Sequence, residues 1–174
     1  MYSKLLSLLA VTVLVAACAD NPDKAGATTG AGLGNTGTSN SGIGTGRNGA
    51  IQPGSQEDLA SIDGQGTGDR VFFQSDRSDL TPEARSTLDR QAAWLNRYSQ
   101  VTVTIEGHCD ERGTREYNIG LGNRRATAVR NYLTALGIGS GRVAIISYGK
   151  EKPIAVGGGD ESWSQNRRGV TIVN

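Results

Sequence analysis

The stretch VTVTIEGHCDERGTREYNIGLGNRRATAVRNYLTALG, residues 101–137, sets the architecture. Val101, Val103 and Ile105 alternate with threonines, the period of a half-buried strand. A polar loop follows. From residue 117 to 136 the apolar positions Leu121, Ala128, Val129, Tyr132 and Leu136 recur at helical spacing, and Gly137 ends the run. A strand, a loop and a long helix in sequence predict a layered α/β unit.

The flanks repeat the alternation. Upstream, Val71, Phe72 and Phe73 form a short apolar strand. Thr81, Pro82 and Glu83 then read as a helix start, with Thr81 as N-cap and Pro82 at the first helical position. Ala84, Leu88, Ala92 and Leu95 share one face of that helix. Downstream, Val143 to Tyr148 and Val170 to Val173 supply two more strands. The order β-α-β-α-β-β predicts an α+β fold, a two-layer α/β sandwich, over residues 59–174.

Before residue 59 the composition changes. Residues 18–58 are rich in Gly, Thr, Ser and Asn, and from Ala25 to Gly46 there is no charge. Such a stretch cannot bury enough apolar surface to offset its ordering entropy, so a disordered linker is expected. A Gly-rich coil of this length reaches roughly 35 Å on root-mean-square average. Residues 1–17, MYSKLLSLLAVTVLVAA, carry Lys4, then an apolar run too short to span a bilayer, then small residues. The segment reads as a signal peptide, and Val15-Ala16-Ala17-Cys18 resembles a bacterial lipobox. That resemblance implies cleavage before Cys18 and acyl chains on it. Several chains anchor stably, at about 0.8 kcal/mol per buried methylene. It also implies sorting to the outer membrane, since Ala19 follows the cysteine.

Net charge is +1, which argues against nucleic acid as a partner. His108 is the only histidine, and adjacent residues at a strand end alternate faces. His108 and Cys109 are therefore expected to diverge, which disfavours both a metal site and a Cys–His nucleophile. Glu106 and Asp110 as a glycosidase pair would need a deep cleft that a domain of this size lacks. No cofactor or metal is expected, and no enzymatic activity. Arg167 reads as part of a solvated face, with Glu151, Asp160 and Glu161 near in sequence.

Arg125 lies along the apolar face of the long helix, so its guanidinium aims at the sheet and needs anionic company. Asp110, at the carboxyl end of a strand, is the natural local carboxylate. Two readings stand equally on chemistry alone. The pair is a plain buried salt bridge that sets the loop, or it clamps a zwitterionic amino-acid head, with Arg125 on its carboxylate and Asp110 on its ammonium.

Several motifs resemble the OmpA-like peptidoglycan-binding domain family. They are VFFQSD at 71–76, EGHCDERGTREYN at 106–118, LGNRRATAVRNYL at 121–133, ISYGKEKP at 146–153 and NRRGV at 166–170. With the lipobox and the Gly-rich stretch, the whole resembles the lipoproteins of that family that work in the Tol system. The resemblance implies peptidoglycan as ligand, gripped at the free amino-acid end of diaminopimelate. It assigns Asp110 and Arg125 to the head, Asn118 and Leu121 to positions near it, and Phe73 and Asp76 to the groove lining. It gives Asn166 and Arg168 a supporting role, and TolB and other Tol-system proteins as partners. The implied role is maintenance of the envelope and outer-membrane constriction at division. Gln74 and Ser75 depart from the family's usual residues, as does the ending VTIVN. The rival within the family is a wall anchor outside the Tol system, and outside wall binding a pure protein-docking module.

Overall fold

A computed structural model describes residues 50–174. The expectations for the signal peptide, for Cys18 and for the Gly-rich stretch up to residue 49 lie outside the described residues. Short α1 (Gln56–Ala60) comes first, then β1 (Arg70–Phe72), α2 (Pro82–Arg97), β2 (Val103–His108) and α3 (Arg115–Ala135). β3 (Val143–Gly149), α4 (Asp160–Asn166) and β4 (Arg168–Val173) complete the order. The β-α-β-α-β-β sequence holds, with two short helices added to it.

Among the described residues, four strands form one mixed sheet in the order β1-β4-β2-β3. β4 inserts antiparallel between β1 and β2, and β3 runs parallel to β2. β1, β2 and β3 therefore end at the same edge of the sheet, where β4 begins. The loops after β1, β2 and β3 all converge there.

The α2 face holds as read. Ala84, Leu88, Ala92 and Leu95 are buried, and the Thr81 side chain accepts from the Ala84 N–H with Pro82 in the first turn. Leu88, Leu95, Val103, Ile105, Val129 and Leu133 make the centre of the core. Gln91 is buried among them because its amide is satisfied twice: it donates to Gly68 O at 2.7 Å and accepts from the Thr171 hydroxyl at 2.7 Å.

The stripe on α3 is turned from its expected place. Ala128 and Tyr132 are only half-buried and Leu136 is exposed, whereas Gly122, Ala126 and Leu133 face the sheet. Small residues explain the turn. Gly107 on β2 lies so close to Gly122 that a Cβ on Gly107 would stand 1.9 Å from the Gly122 carbonyl oxygen. The helix rotates its smallest residues toward the sheet and approaches it backbone to backbone. At its end Gly137 takes φ +93°, and the Ile138 N–H returns to Leu133 O at 3.1 Å.

The boundary read between residues 58 and 59 falls inside α1. The Gln56 side chain donates to Thr171 O at 3.1 Å and accepts from Val173 N–H at 2.8 Å, tying α1 to β4. Five mostly polar residues give no periodicity, which is why the sequence hides this helix.

Candidate ligand site at the carboxyl edge of the sheet

A cavity of about 240 Å³ opens between the loop after β1, the loop after β2 and the first turns of α3. Asp76, Asp110, Asn118, Leu121 and Arg125 all line it. Their elements explain the convergence. Thr114 caps α3 by accepting from the Tyr117 N–H at 3.2 Å, which fixes the helix start above the loop. Asn118 and Arg125 are buried along the helix, and Leu121 is between them.

Asp110 and Arg125 border one cavity but do not bond each other. Arg125 is fully buried, yet its neighbours are carbonyls: Nε donates to Arg77 O at 2.9 Å, Nη1 to His108 O at 2.7 Å and Nη2 to Gln74 O at 3.0 Å. The anionic company expected for it is thus supplied by oxygen dipoles from the loop after β1 and from the last residue of β2. Among the described residues it makes no ion pair. Burial works against its charge and lowers its pKa, with Cys109 and Asp110 opposing. A guanidinium has five N–H groups, so three bonds leave two for a ligand.

Asp110 is held by other arginines. Arg112 grips it at 2.6 Å through Nη2 and at 3.1 Å through Nε, and Arg167 Nη1 approaches at 3.5 Å. Burial pushes the carboxyl up, but the side-chain and backbone bonds from Arg112, with Arg167, outweigh it and leave the pKa below its ordinary value. The plain Asp110–Arg125 salt bridge, one of the two readings above, is not formed.

Phe73 does not line the cavity; it lies behind Arg125, whose guanidinium carbon is 5.2 Å from the ring centroid. Asp76 accepts from the Tyr117 hydroxyl and takes φ +56°, a left-handed conformation that Asp tolerates. Asn166 and Arg168 sit away from the cavity. Asn166 accepts from Ile154 N–H at 2.8 Å and donates to Ala155 O at 2.7 Å, shaping the loop after β3. Arg168 donates to Lys152 O at 3.2 Å, on the side of the sheet where His108 stacks on Tyr148.

Arg167 corrects the sequence reading. It is buried, not solvated, and donates to Phe73 O at 3.2 Å and to Asp160 at 3.2 Å besides Asp110. Arg167 caps the end of α4 just ahead of β4 and Arg168 opens the strand; both side chains are buried, Arg167 beside Asp110 and Arg168 beside Lys152 O. Arg112 also went unread. Its signal was local: the Arg112 N–H donates to the Asp110 side chain at 3.2 Å, a turn typical of Asp two residues before the donor.

Cys109 lines the cavity with its thiol 3.4 Å from Asn118 O, and burial pushes its pKa up. His108 turns to the other side of the sheet, where burial and then the charges of Arg168 and Lys152 hold it down to about 3. No group of His, Cys, Asp and Glu among the described residues is arranged to hold a metal. No helix among them is long and apolar enough to cross a membrane.

Residues 72–167 match the OmpA family. The chain is 46% identical over 165 residues to a peptidoglycan-associated lipoprotein of Rhizobium meliloti, covering 95% of this chain and 84% of the relative. A peptidoglycan-associated lipoprotein of Brucella melitensis is 52% identical over 126 residues, 72% of this chain and 73% of that one. Among solved structures, the peptidoglycan-associated lipoprotein from Burkholderia pseudomallei aligns with a TM-score of 0.62 at 38% identity, covering 67% of this chain and 97% of that chain. The C-terminal domain of MotB from Helicobacter pylori shares the fold, with a TM-score of 0.57 at 20% identity over 61% of this chain and 84% of that one. The chain belongs to the OmpA family, among its peptidoglycan-associated lipoproteins.

Proposed function

We propose that this protein binds peptidoglycan noncovalently through the free amino-acid head of diaminopimelate, and that acyl chains on Cys18 hold it in the outer membrane. One observation carries the reading: Arg125 is a fully buried cation with no carboxylate partner among the described residues, beside an open cavity that also presents Asp110. A buried guanidinium with unused donors favours a carboxylate. The head's carboxylate goes to Arg125 and its ammonium to Asp110. Asn118 and Leu121 flank the head, and Asp76 borders it from the loop after β1. Phe73 supports the guanidinium from behind.

The names of the relatives support peptidoglycan as the ligand. Gripping one small head gives modest affinity per site. Many copies on one wall attach firmly by raising the effective concentration of the next contact. The Gly-rich stretch after Cys18 bridges membrane and wall in this reading. TolB and a role in constriction at division follow from the family resemblance.

The test is co-sedimentation of the full chain with purified wall, beside Asp110→Asn and Arg125→Lys, with thermal melts to show that both variants fold. Loss of sedimentation in both is expected. Retention by both folded variants would remove the site assignment, and release of soluble wall fragments would make the protein an enzyme. Labelled palmitate on Cys18, absent in Cys18→Ala, tests the anchor.

A further inference from the structure

Asp110 has no acceptor position to spare. Oδ1 takes the Arg112 N–H at 3.2 Å and Nε at 3.1 Å; Oδ2 takes Arg112 Nη2 at 2.6 Å and Arg167 Nη1 at 3.5 Å. A carboxylate offers about four lone-pair sites. An ammonium that reaches Asp110 must therefore displace a donor.

The exposures decide which one. The Arg167 side chain is 8% exposed and is also fixed to Phe73 O and Asp160, whereas the Arg112 side chain is 43% exposed. A ligand arriving from solvent meets Arg112 first. Its guanidinium has two contacts that do not depend on Asp110. It lies 4.2 Å over the Trp163 ring, and Nη2 donates to Ser75 Oγ at 2.8 Å. Trp163 is itself fixed, donating from Nε1 to Glu111 Oε1 at 3.0 Å. Ser75 stands on the loop after β1 and Trp163 on α4, so the guanidinium is held across the cavity mouth from two sides.

We propose that Arg112 is a second anion subsite: as the ligand's ammonium takes Asp110, the Arg112 fork turns to another carboxylate of the same ligand, beyond the gripped head. This rests on the head-binding reading above and narrows its ligand class. The preferred ligand is a stem peptide with a free carboxylate outside the diaminopimelate D-centre head. Among the described residues Asp110 is the carboxylate in ion-pair range of Arg112, with Asp160 acting on it from further off, so head binding leaves this cation with no carboxylate in direct contact. Arginine suits the place because its planar fork stacks on an indole while its edge still donates; lysine does neither as well.

The test is calorimetric titration of the full chain with two probes. One is the tripeptide L-alanyl-γ-D-glutamyl-meso-diaminopimelate. The other is the same tripeptide with its carboxylates outside the D-centre head converted to primary amides. Wild type should prefer the first by about tenfold, the size of one charge-assisted contact. Arg112→Ala should bind both alike, and Arg112→Lys should keep part of the preference; melts confirm that each folds. Equal wild-type binding of the two probes overturns the subsite and leaves head binding standing. So does a preference that survives in Arg112→Ala, or a parallel rise in both affinities there, which makes Arg112 only a competitor. Binding of neither probe by wild type overturns both readings.

Discussion

Gly107→Ala puts a methyl group where the backbones of β2 and α3 touch. Its Cβ would stand 1.9 Å from Gly122 O and 2.6 Å from Gly122 C, both backbone atoms of α3. A non-bonded carbon and oxygen need about 3.2 Å or more, so α3 must lift by over ~1 Å from β2 or β2 must bend. Overpacking costs about 1–3 kcal/mol when side chains can yield, and here none can, so the loss should reach roughly 3 kcal/mol. In a chain of this size that is a fall of roughly 10 °C in the melting midpoint. Gly122→Ala should cost less. Its Cβ meets Ser147 Oγ at 2.3 Å, which can rotate away, and Gly107 O at 2.8 Å, which cannot. Gly120→Ala is the control: its nearest neighbour is the Arg124 Nη1 tip at 3.5 Å, so helix propensity should stabilise it by about 0.5–1 kcal/mol. Thermal denaturation by circular dichroism ranks the three. The lift also carries Arg125 away from the loop of Asp110, so folded Gly107→Ala should sediment poorly with wall. A Gly107→Ala midpoint within about 2 °C of wild type would refute the close-packing argument.

The pH dependence of stability should show His108. Its folded pKa of about 3 lies below the unfolded 6.5, so between these values the unfolded chain binds the extra proton and stability falls as pH drops. Urea unfolding at pH 7 and pH 4.5 should differ by about 2–3 kcal/mol from this group, and His108→Gln should flatten that slope. Asp110, with its folded pKa depressed, adds stability that is present above its unfolded value near 3.8 and lost as pH falls through the folded pKa. Wall binding should accordingly stay level from pH 8 to about pH 5. Gln91→Leu leaves Gly68 O and the Thr171 hydroxyl without their partner and should cost about 2–4 kcal/mol by chemical denaturation. Cys109, buried with a raised pKa, should resist thiol reagents in the native protein and react once urea unfolds it.

Much of the fold was legible because its signals are local. Thr81-Pro82 starts α2 and Gly137 stops the long helix, and both positions turn up where capping chemistry puts them. Rotation of α3 was not legible, because it is set by two glycines, Gly107 and Gly122, that meet only after folding. At the site, residues 110 and 125 could be brought to one cavity from strand-end and helix-face arguments. Their partners could not. Arg125 is satisfied by carbonyls of the 74–77 loop and of His108, and backbone oxygens carry no residue signature. Arg167 was misplaced because Phe73 O and Asp110, the partners that bury it, are distant in sequence and reach it only after folding.

The most direct measurement compares two stem tripeptides in titration with the full chain, one carrying meso-diaminopimelate and one carrying L-lysine at that position. They differ at the side-chain end by one carboxylate, the group assigned to Arg125. Head binding predicts a preference for diaminopimelate of about a hundredfold, the size of a buried bidentate contact, and its collapse in folded Arg125→Lys. Affinities within about twofold of each other in wild type would contradict it.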